Sequence, residues 1–165
     1  MTIQKFKSSW LLWLLLLGMA ACSGNEKSGV GYVPYNHTDK AIVSILINGQ
    51  GGVAMSMAHG SGGEVCCVVL PVRWKSGLKA SIKWQEDGEW LLDERGKEVF
   101  RNGKRVYVES EWKEKIVEIP EYATEMGLFF IHFLPGDEVK VAVSPYDPRH
   151  PKHPYRFADI PLINP

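Results

Sequence analysis

Two adjacent cysteines, Cys66 and Cys67, are the residues whose type and spacing bear most directly on chemistry. Neighbouring Cα atoms lie about 3.8 Å apart, which is less than the usual separation in a disulfide, so a bond between them requires a distorted backbone. The chain has one other cysteine, Cys22, which the N-terminal sequence predicts to carry a lipid. In an oxidising compartment Cys66 and Cys67 then have no other partner, which favours a vicinal disulfide. Two packed thiols and a redox-active pair are the alternatives, although the Cys-x-x-Cys spacing of oxidoreductases is missing.

Other polar residues lack the partners that catalysis or metal binding requires. His59 and Ser61 resemble part of a nucleophile elbow, but the Gly-x-Ser-x-Gly motif needs glycine at position 59 and a strand-to-helix setting. Asp147, His150 and His153 have the spacing of metal ligands, yet neighbouring prolines stiffen the segment and no His-Glu-x-x-His or Cys-x-x-Cys motif accompanies them. We therefore predict no catalytic residues, no bound metal, no cofactor and no enzymatic activity.

The composition disfavours several classes of protein. The chain has 165 residues, of which 45% are hydrophobic and 11% aromatic, which is enough for one packed domain. Its 19 Lys and Arg residues balance 19 Asp and Glu residues, so nucleic acid meets no excess of positive charge and we predict no nucleic-acid binding. The glycine-rich segment at residues 49–63 matches neither of the common phosphate-binding glycine motifs, so nucleotide binding is not supported.

The elements that must position these residues are short strands. Apolar, β-branched stretches bounded by turn residues predict strands at residues 41–47, 64–70, 78–84, 99–101, 104–108, 115–119, 128–134 and 138–143. Asn102-Gly103 predicts a type I′ hairpin. We predict an all-β fold, an antiparallel sandwich or open barrel, with His132 in its core or at its rim. Six of the ten prolines follow Ser144, which predicts an extended, proline-rich C-terminal tail.

The N-terminus has the pattern of a bacterial lipoprotein signal peptide. Lys5 and Lys7 precede an apolar run that is too short to span a bilayer, since a spanning helix needs about 20 such residues. Residues 17–22 resemble a lipobox, in which the final Cys22 takes a diacylglycerol and becomes the mature N-terminus. We predict a signal peptide at residues 1–21, a flexible tether at 22–31 and a single β domain at 32–165.

The expected lipid at Cys22 places the protein on a membrane surface. Two or more acyl chains anchor a protein stably where one chain does not. Ser23, rather than aspartate, follows the cysteine, and by resemblance to sorted lipoproteins of Gram-negative bacteria this points to the outer membrane. We predict an anchored protein that faces the periplasm; a soluble exported protein is the alternative.

The segment at residues 86–118 is unusual in its charge. Ten acidic and seven basic residues alternate there with aromatic residues. A solvated hairpin is one interpretation. A protein-docking surface is the other, because Trp, Tyr and Arg supply most binding hot spots. The candidate contacts are Trp90, Arg101, Tyr107 and Trp112.

Several spaced motifs resemble a family of proteobacterial lipoproteins known only as a domain of unknown function. They are Tyr35-Asn-His-Thr-Asp39, Cys66-Cys67-Val68, Leu70-Pro71 with Trp74, Phe133-Leu134-Pro135 and His150-Pro with His153-Pro-Tyr155. The resemblance covers nearly all of residues 32–155, and the charged stretch at 86–114 departs from it most.

The resemblance implies a modest expectation about function. Members of that family are often encoded beside phospholipase effectors of type VI secretion systems, which implies a periplasmic immunity protein that binds a lipase toxin. The resemblance identifies no catalytic residues in this chain. An envelope module that is structural or binds an unknown ligand is the alternative hypothesis.

Overall fold

Short strands dominate the regular structure, because apolar and β-branched residues recur at alternate positions along the chain. The computed structural model describes residues 26–52 and 54–160. Its strands are β1 (Lys27–Asn36), β2 (Ile42–Ile47), β3 (Gln50–Gly52), β4 (Gly60–Ser61), β5 (Val65–Pro71), β6 (Lys79–Glu86), β7 (Glu89–Trp90), β8 (Phe100–Arg101), β9 (Lys104–Arg105), β10 (Tyr107–Val108), β11 (Trp112–Glu118), β12 (Leu128–Leu134) and β13 (Glu138–Ser144). Short 3₁₀ turns lie at Pro135–Asp137 and Phe157–Asp159.

The first sheet contains five strands. β13, β12 and β1 lie side by side, and both β4 and β5 pair with the other edge of β1. β1 runs parallel to β12, whereas the remaining pairs in this sheet are antiparallel.

The second sheet packs against the first and is antiparallel, in the order β11, β6, β2 and β3. The rings of Trp84 from β6 and Phe133 from β12 lie 5.4 Å apart across the interface. The shared core draws apolar residues from both sheets, among them Tyr32, Ile45, Leu70, Ile82, Phe129, Ile131 and Val141. Burying each large apolar side chain contributes roughly 1.5–3 kcal/mol. The all-β prediction is confirmed, in the form of two facing sheets and not a closed barrel.

The predicted boundary of the tether needs correction where it meets β1. Residues 27–31 were assigned to a flexible tether, but they belong to this strand and pair with β5. Val30 and Tyr32 are buried in the core, so burial overcomes the weak strand preference of Gly29 and Gly31. The signal peptide at 1–21, Cys22 and tether residues up to 25 lie outside the described residues, and the single domain at 32–165 stays a prediction.

β12 is buried on both faces, which explains its unbroken apolar sequence. Phe129, Ile131 and Phe133 point into the core, whereas Phe130 and His132 point to the outer face of the first sheet. Residues 145–160 lie over that outer face, and we call this segment the cover. In the described part of the chain, the structure holds no helix with the length and apolarity to cross a membrane.

Candidate functional site

Between β6 and β11 the chain leaves the second sheet and forms a projecting unit of residues 87–111, here called the aromatic arm. β7 pairs with β10, and β8 pairs with β9. Backbone hydrogen bonds of 2.8–2.9 Å from Leu91 to Val106, from Val106 to Val99 and from Val99 to Leu91 join the parts into one unit. The arm is therefore an ordered structure outside the two main sheets.

Two turns fix the path of the arm. Asn102 and Gly103 have φ values of 49° and 74°, so both central residues are left-handed, as the predicted type I′ hairpin requires. In the other turn, the carboxylate of Asp93 accepts hydrogen bonds from the backbone N–H groups of Arg95 and Lys97 at 2.8 and 2.9 Å. These local interactions hold the arm in place with little buried core.

An aromatic pair stands near the base of the arm. Tyr107 lies directly across from Trp90 in the β7–β10 register, and their ring centroids are 5.2 Å apart in an edge-to-face arrangement. The guanidinium of Arg105 lies 4.3 Å from the centroid of the Trp90 ring, within the range of a cation–π contact. Arg105 also forms an ion pair with Glu98, which fixes its position.

The hydroxyl of Tyr107 anchors this pair to the backbone. It accepts a hydrogen bond of 2.6 Å from the N–H of Gly88 and donates one to the carboxylate of Asp87. The bond to Asp87 raises the pKa of Tyr107, because it stabilises the protonated phenol. Tyr107 is therefore a neutral donor at ordinary pH, with its ring held against Trp90.

The apolar side chains of the arm face solvent. Within the arm, which lies wholly in the described part of the chain, five large apolar residues are 41–57% exposed: Trp90, Leu92, Phe100, Tyr107 and Val108. Beside them is a groove of about 460 Å³, whose lining includes Lys40, Glu89, Trp90, Leu92, Val108 and Glu109. A groove lined by the Trp90 ring, by apolar side chains and by charged residues, with further exposed rings elsewhere on the arm, has the composition that protein interfaces favour.

The structure brings together two of the four predicted partner contacts. Trp90 and Tyr107 are in contact, whereas Arg101 is exposed at the far end of the arm beside the hairpin turn. Trp112 lies on β11, and its ring is 5.3 Å from the ammonium of Lys83. The sequence prediction missed Arg105, which lies two residues before Tyr107 on the predicted strand 104–108; the structure divides that stretch into β9 and β10.

The other residues that the sequence singled out lie apart from the arm. Cys66 and Cys67 are joined by a disulfide on β5, and both are exposed. His59 forms an exposed hydrogen bond of 2.7 Å with Asp39, and the described hydrogen bonds do not link it to Ser61. The oxidation state of the cysteines in the cell stays a prediction.

The residues considered as metal ligands do not converge. Asp147 accepts a hydrogen bond from Tyr35 at 3.3 Å, and His150 stacks on the ring of Tyr146. His153 turns the other way and is buried against Phe130, with the ring centroids 4.9 Å apart. In the described residues, His, Cys, Asp and Glu side chains form no group of three or more that could hold a metal ion.

A second cluster of polar groups lies beneath the cover and consists of His37, His132 and His153, here called the histidine cluster. Nε2 of His37 is 3.2 Å from Nδ1 of His132, and the rings of His132 and His153 are 5.9 Å apart. His132 is fully buried and His153 is 3% exposed. Nothing local in the sequence indicated this cluster, because its members come from three distant segments.

Burial controls the protonation of the histidine cluster. It lowers the pKa of His132 to about 3, and the nearby His37, His153 and Lys140 add electrostatic repulsion to the charged form. Burial also lowers the pKa of His37 and of His153. The cluster is therefore neutral at ordinary pH and contributes to packing.

The fold and the arm define a class of protein: a two-sheet, all-β domain that carries an exposed aromatic arm on one sheet. Residues 35–141 match the sequence profile of the family described as "protein of unknown function (DUF3304)", so the chain belongs to that family. The match includes the whole arm and most of both sheets. Neither the curated proteins nor the solved structures contain a significant match to the chain.

Proposed function

We propose that this protein is a non-enzymatic immunity protein that binds and inhibits a phospholipase effector of a type VI secretion system. The observation that carries the proposal is the half-exposed set of aromatic and apolar side chains on an arm with fixed turns. Aromatic and Arg anchors dominate the binding energy of most protein interfaces.

The order of the arm before binding supports this role. Contacts with Arg105 and Tyr107 already hold the ring of Trp90, so a partner would not have to immobilise it. Ordering a flexible side chain at an interface costs about 0.5–1.5 kcal/mol. A preformed aromatic surface therefore keeps more of its contact energy as affinity.

We further propose that a lipid on Cys22 anchors the protein to the outer membrane, facing the periplasm. A tethered inhibitor has a high effective concentration near a lipase that acts on the same membrane. Replacing Cys22 by serine (Cys22→Ser) is expected to abolish lipid labelling and to move the protein out of the outer-membrane fraction. Unchanged labelling and fractionation would contradict the anchor.

The test of immunity is protection of a sensitive cell. The phospholipase effector that the proposal expects to be encoded beside this protein is directed to the periplasm of a sensitive strain, with and without the intact protein. We expect the wild-type protein to restore growth and to form a complex with the purified effector. Absence of both would reject the immunity role and favour the alternative of an envelope module.

A matched pair of variants tests the choice of surface. Trp90→Ala removes an exposed ring from the arm, and Ile116→Ala removes a side chain that is 70% exposed on β11, outside the arm. We expect Trp90→Ala to weaken protection and Ile116→Ala to keep it. Equal protection by the two variants would show that the toxin binds elsewhere.

A further inference from the structure

The cover contacts the first sheet through side chains. The backbone hydrogen bonds that its described residues make with other backbone groups join one residue of the cover to another, as in the bond of 3.2 Å from Phe157 to Pro148. It contacts the sheet through rings, through a cation–π contact of Tyr155 with Lys140 and through the hydroxyl of Tyr35, which donates to Asp147. At its first residues the N–H of Tyr146 also donates to the hydroxyl of Ser144 on β13. The cover is therefore attached by packing, whereas the sheets are also held by strand pairing.

The histidine cluster lies at the centre of this packing. The ring of His132 is within 6.5 Å of the rings of His153, Tyr155 and Phe157 from the cover. In the described structure, the Nε2 atoms of His132 and His153 are buried without a hydrogen-bond partner. A proton added at either atom would place a charge in an apolar contact without an acceptor.

Charged and titratable groups from each neighbouring element face the cluster, and most of them disfavour a positive charge on its histidines. β1 and the loop after it supply Tyr35 and His37, with His59 and Asp39 behind; β13 supplies Lys140 opposite His132; and the cover supplies Asp147, Arg149, His153 and Tyr155. Asp147 favours protonation of His153, but burial outweighs it. Lys140 disfavours protonation of His132.

We propose that the cover is an acid-released strap: uptake of protons by the histidine cluster detaches residues 145–160 from the first sheet while the two-sheet core stays folded. Release exposes the outer face of β12, including Phe130, which is buried beneath the closed cover. The two-sheet core stays folded because its buried apolar residues, which come from both sheets, do not include the three histidines. The device is independent of the docking role of the arm.

The direction of the effect follows from proton linkage. The closed cover lowers the histidine pKa values, so a released cover binds more protons than a closed one. The stability of the closed form is complete above a pH of about 6.5, the ordinary histidine pKa, and falls progressively below it. For His132, full recovery of the ordinary pKa on release sets an upper limit of about thirtyfold on this shift at pH 5, because His37 and Lys140 stay beside it.

Hydrogen–deuterium exchange of the intact protein tests the proposal. Exchange of the amides of His153, Tyr155 and Phe157 is measured at pH 7.5 and pH 5, corrected for intrinsic rates, and compared with amides of β6. We expect the cover amides to lose protection at pH 5, by up to about thirtyfold from His132 alone, while β6 keeps its protection. Unchanged protection of the cover, or equal loss in β6, would overturn the proposal.

Two variants assign the effect to the cluster. His132→Phe keeps a ring in place but takes up no proton, so we expect it to reduce the acid effect; His37→Phe does the same at a half-buried position if the first variant fails to fold. His150→Phe is the control, because His150 is an exposed cover residue stacked on Tyr146. A full acid effect in His132→Phe and His37→Phe, or its loss in the control, would refute a role for the cluster.

Discussion

The cover and the aromatic arm both gather aromatic rings, but they use them in opposite ways. Beneath the cover Phe130 is 3% exposed, whereas on the arm Phe100 is 57% exposed. The rings under the cover surround neutral histidines and fill the outer face of the first sheet. The rings of the arm are held in place by turns, ion pairs and backbone hydrogen bonds.

This difference separates residues that stabilise the fold from residues that are free to contact a partner. Side chains under the cover are already buried in the folded protein, so their removal from water contributes to the free energy of folding. Side chains of the arm keep about half of their surface in water, and a partner could still bury it. Aromatic content alone does not distinguish these roles; the exposed fraction does.

The largest effect that this comparison predicts concerns stability. Phe130→Ala should lower the free energy of unfolding by about 3–5 kcal/mol, because it leaves a cavity between β12 and the cover. Phe100→Ala should change it by less than about 0.5 kcal/mol, since the ring is exposed. Urea denaturation followed by tryptophan fluorescence measures both values.

The same pair of variants can also contradict the contrast between the cover and the arm. A loss of several kcal/mol in Phe100→Ala would mean that the arm is part of the folding core. A small loss in Phe130→Ala would mean that the cover packs loosely on the sheet. Either result would remove the contrast between the two regions.

An intermediate effect is expected on affinity for the proposed toxin partner. Trp90→Ala should weaken binding by about thirtyfold, or about 2 kcal/mol, if Trp90 is a hot spot. Trp112→Ala should weaken it less, because Trp112 lies on β11 and does not contact the aromatic pair. Isothermal titration calorimetry with the purified effector compares the two, and a larger loss in Trp112→Ala would move the binding surface to the second sheet.

Local signals predicted the arm better than the first sheet. Asn102-Gly103 specifies its turn by conformational preference alone, and both residues have the expected positive φ. β1 was missed because Gly29, Gly31 and Pro34 weaken its strand pattern, and its parallel pairing with β12 joins residues about a hundred positions apart. Strand preference does not encode such distant pairing.

The sequence could not predict the histidine cluster, because its members are also distant in the chain. His37 and His132 are 95 residues apart, and their contact depends on the register between β1 and β12. Alternation along β12 placed His132 on a face opposite to Phe133, but it gave no information about the cover above it. Local periodicity predicts a side chain's face, and only the tertiary structure decides what covers that face.

The smallest effect tests whether the order of the arm, and not only its composition, supports binding. Gly103 has a φ of 74°, and a Cβ added there would meet open space, so Gly103→Ala strains the backbone without a clash. Gly77 has a φ of 77° and is equally open, but it lies in the turn before β6. Each alanine should cost about 1 kcal/mol of stability in urea denaturation. Only Gly103→Ala should also speed hydrogen exchange in the arm and weaken toxin binding, because it loosens the hairpin that supports Arg105. Equal binding by the two variants would mean that the arm needs no preformed turn to contact its partner.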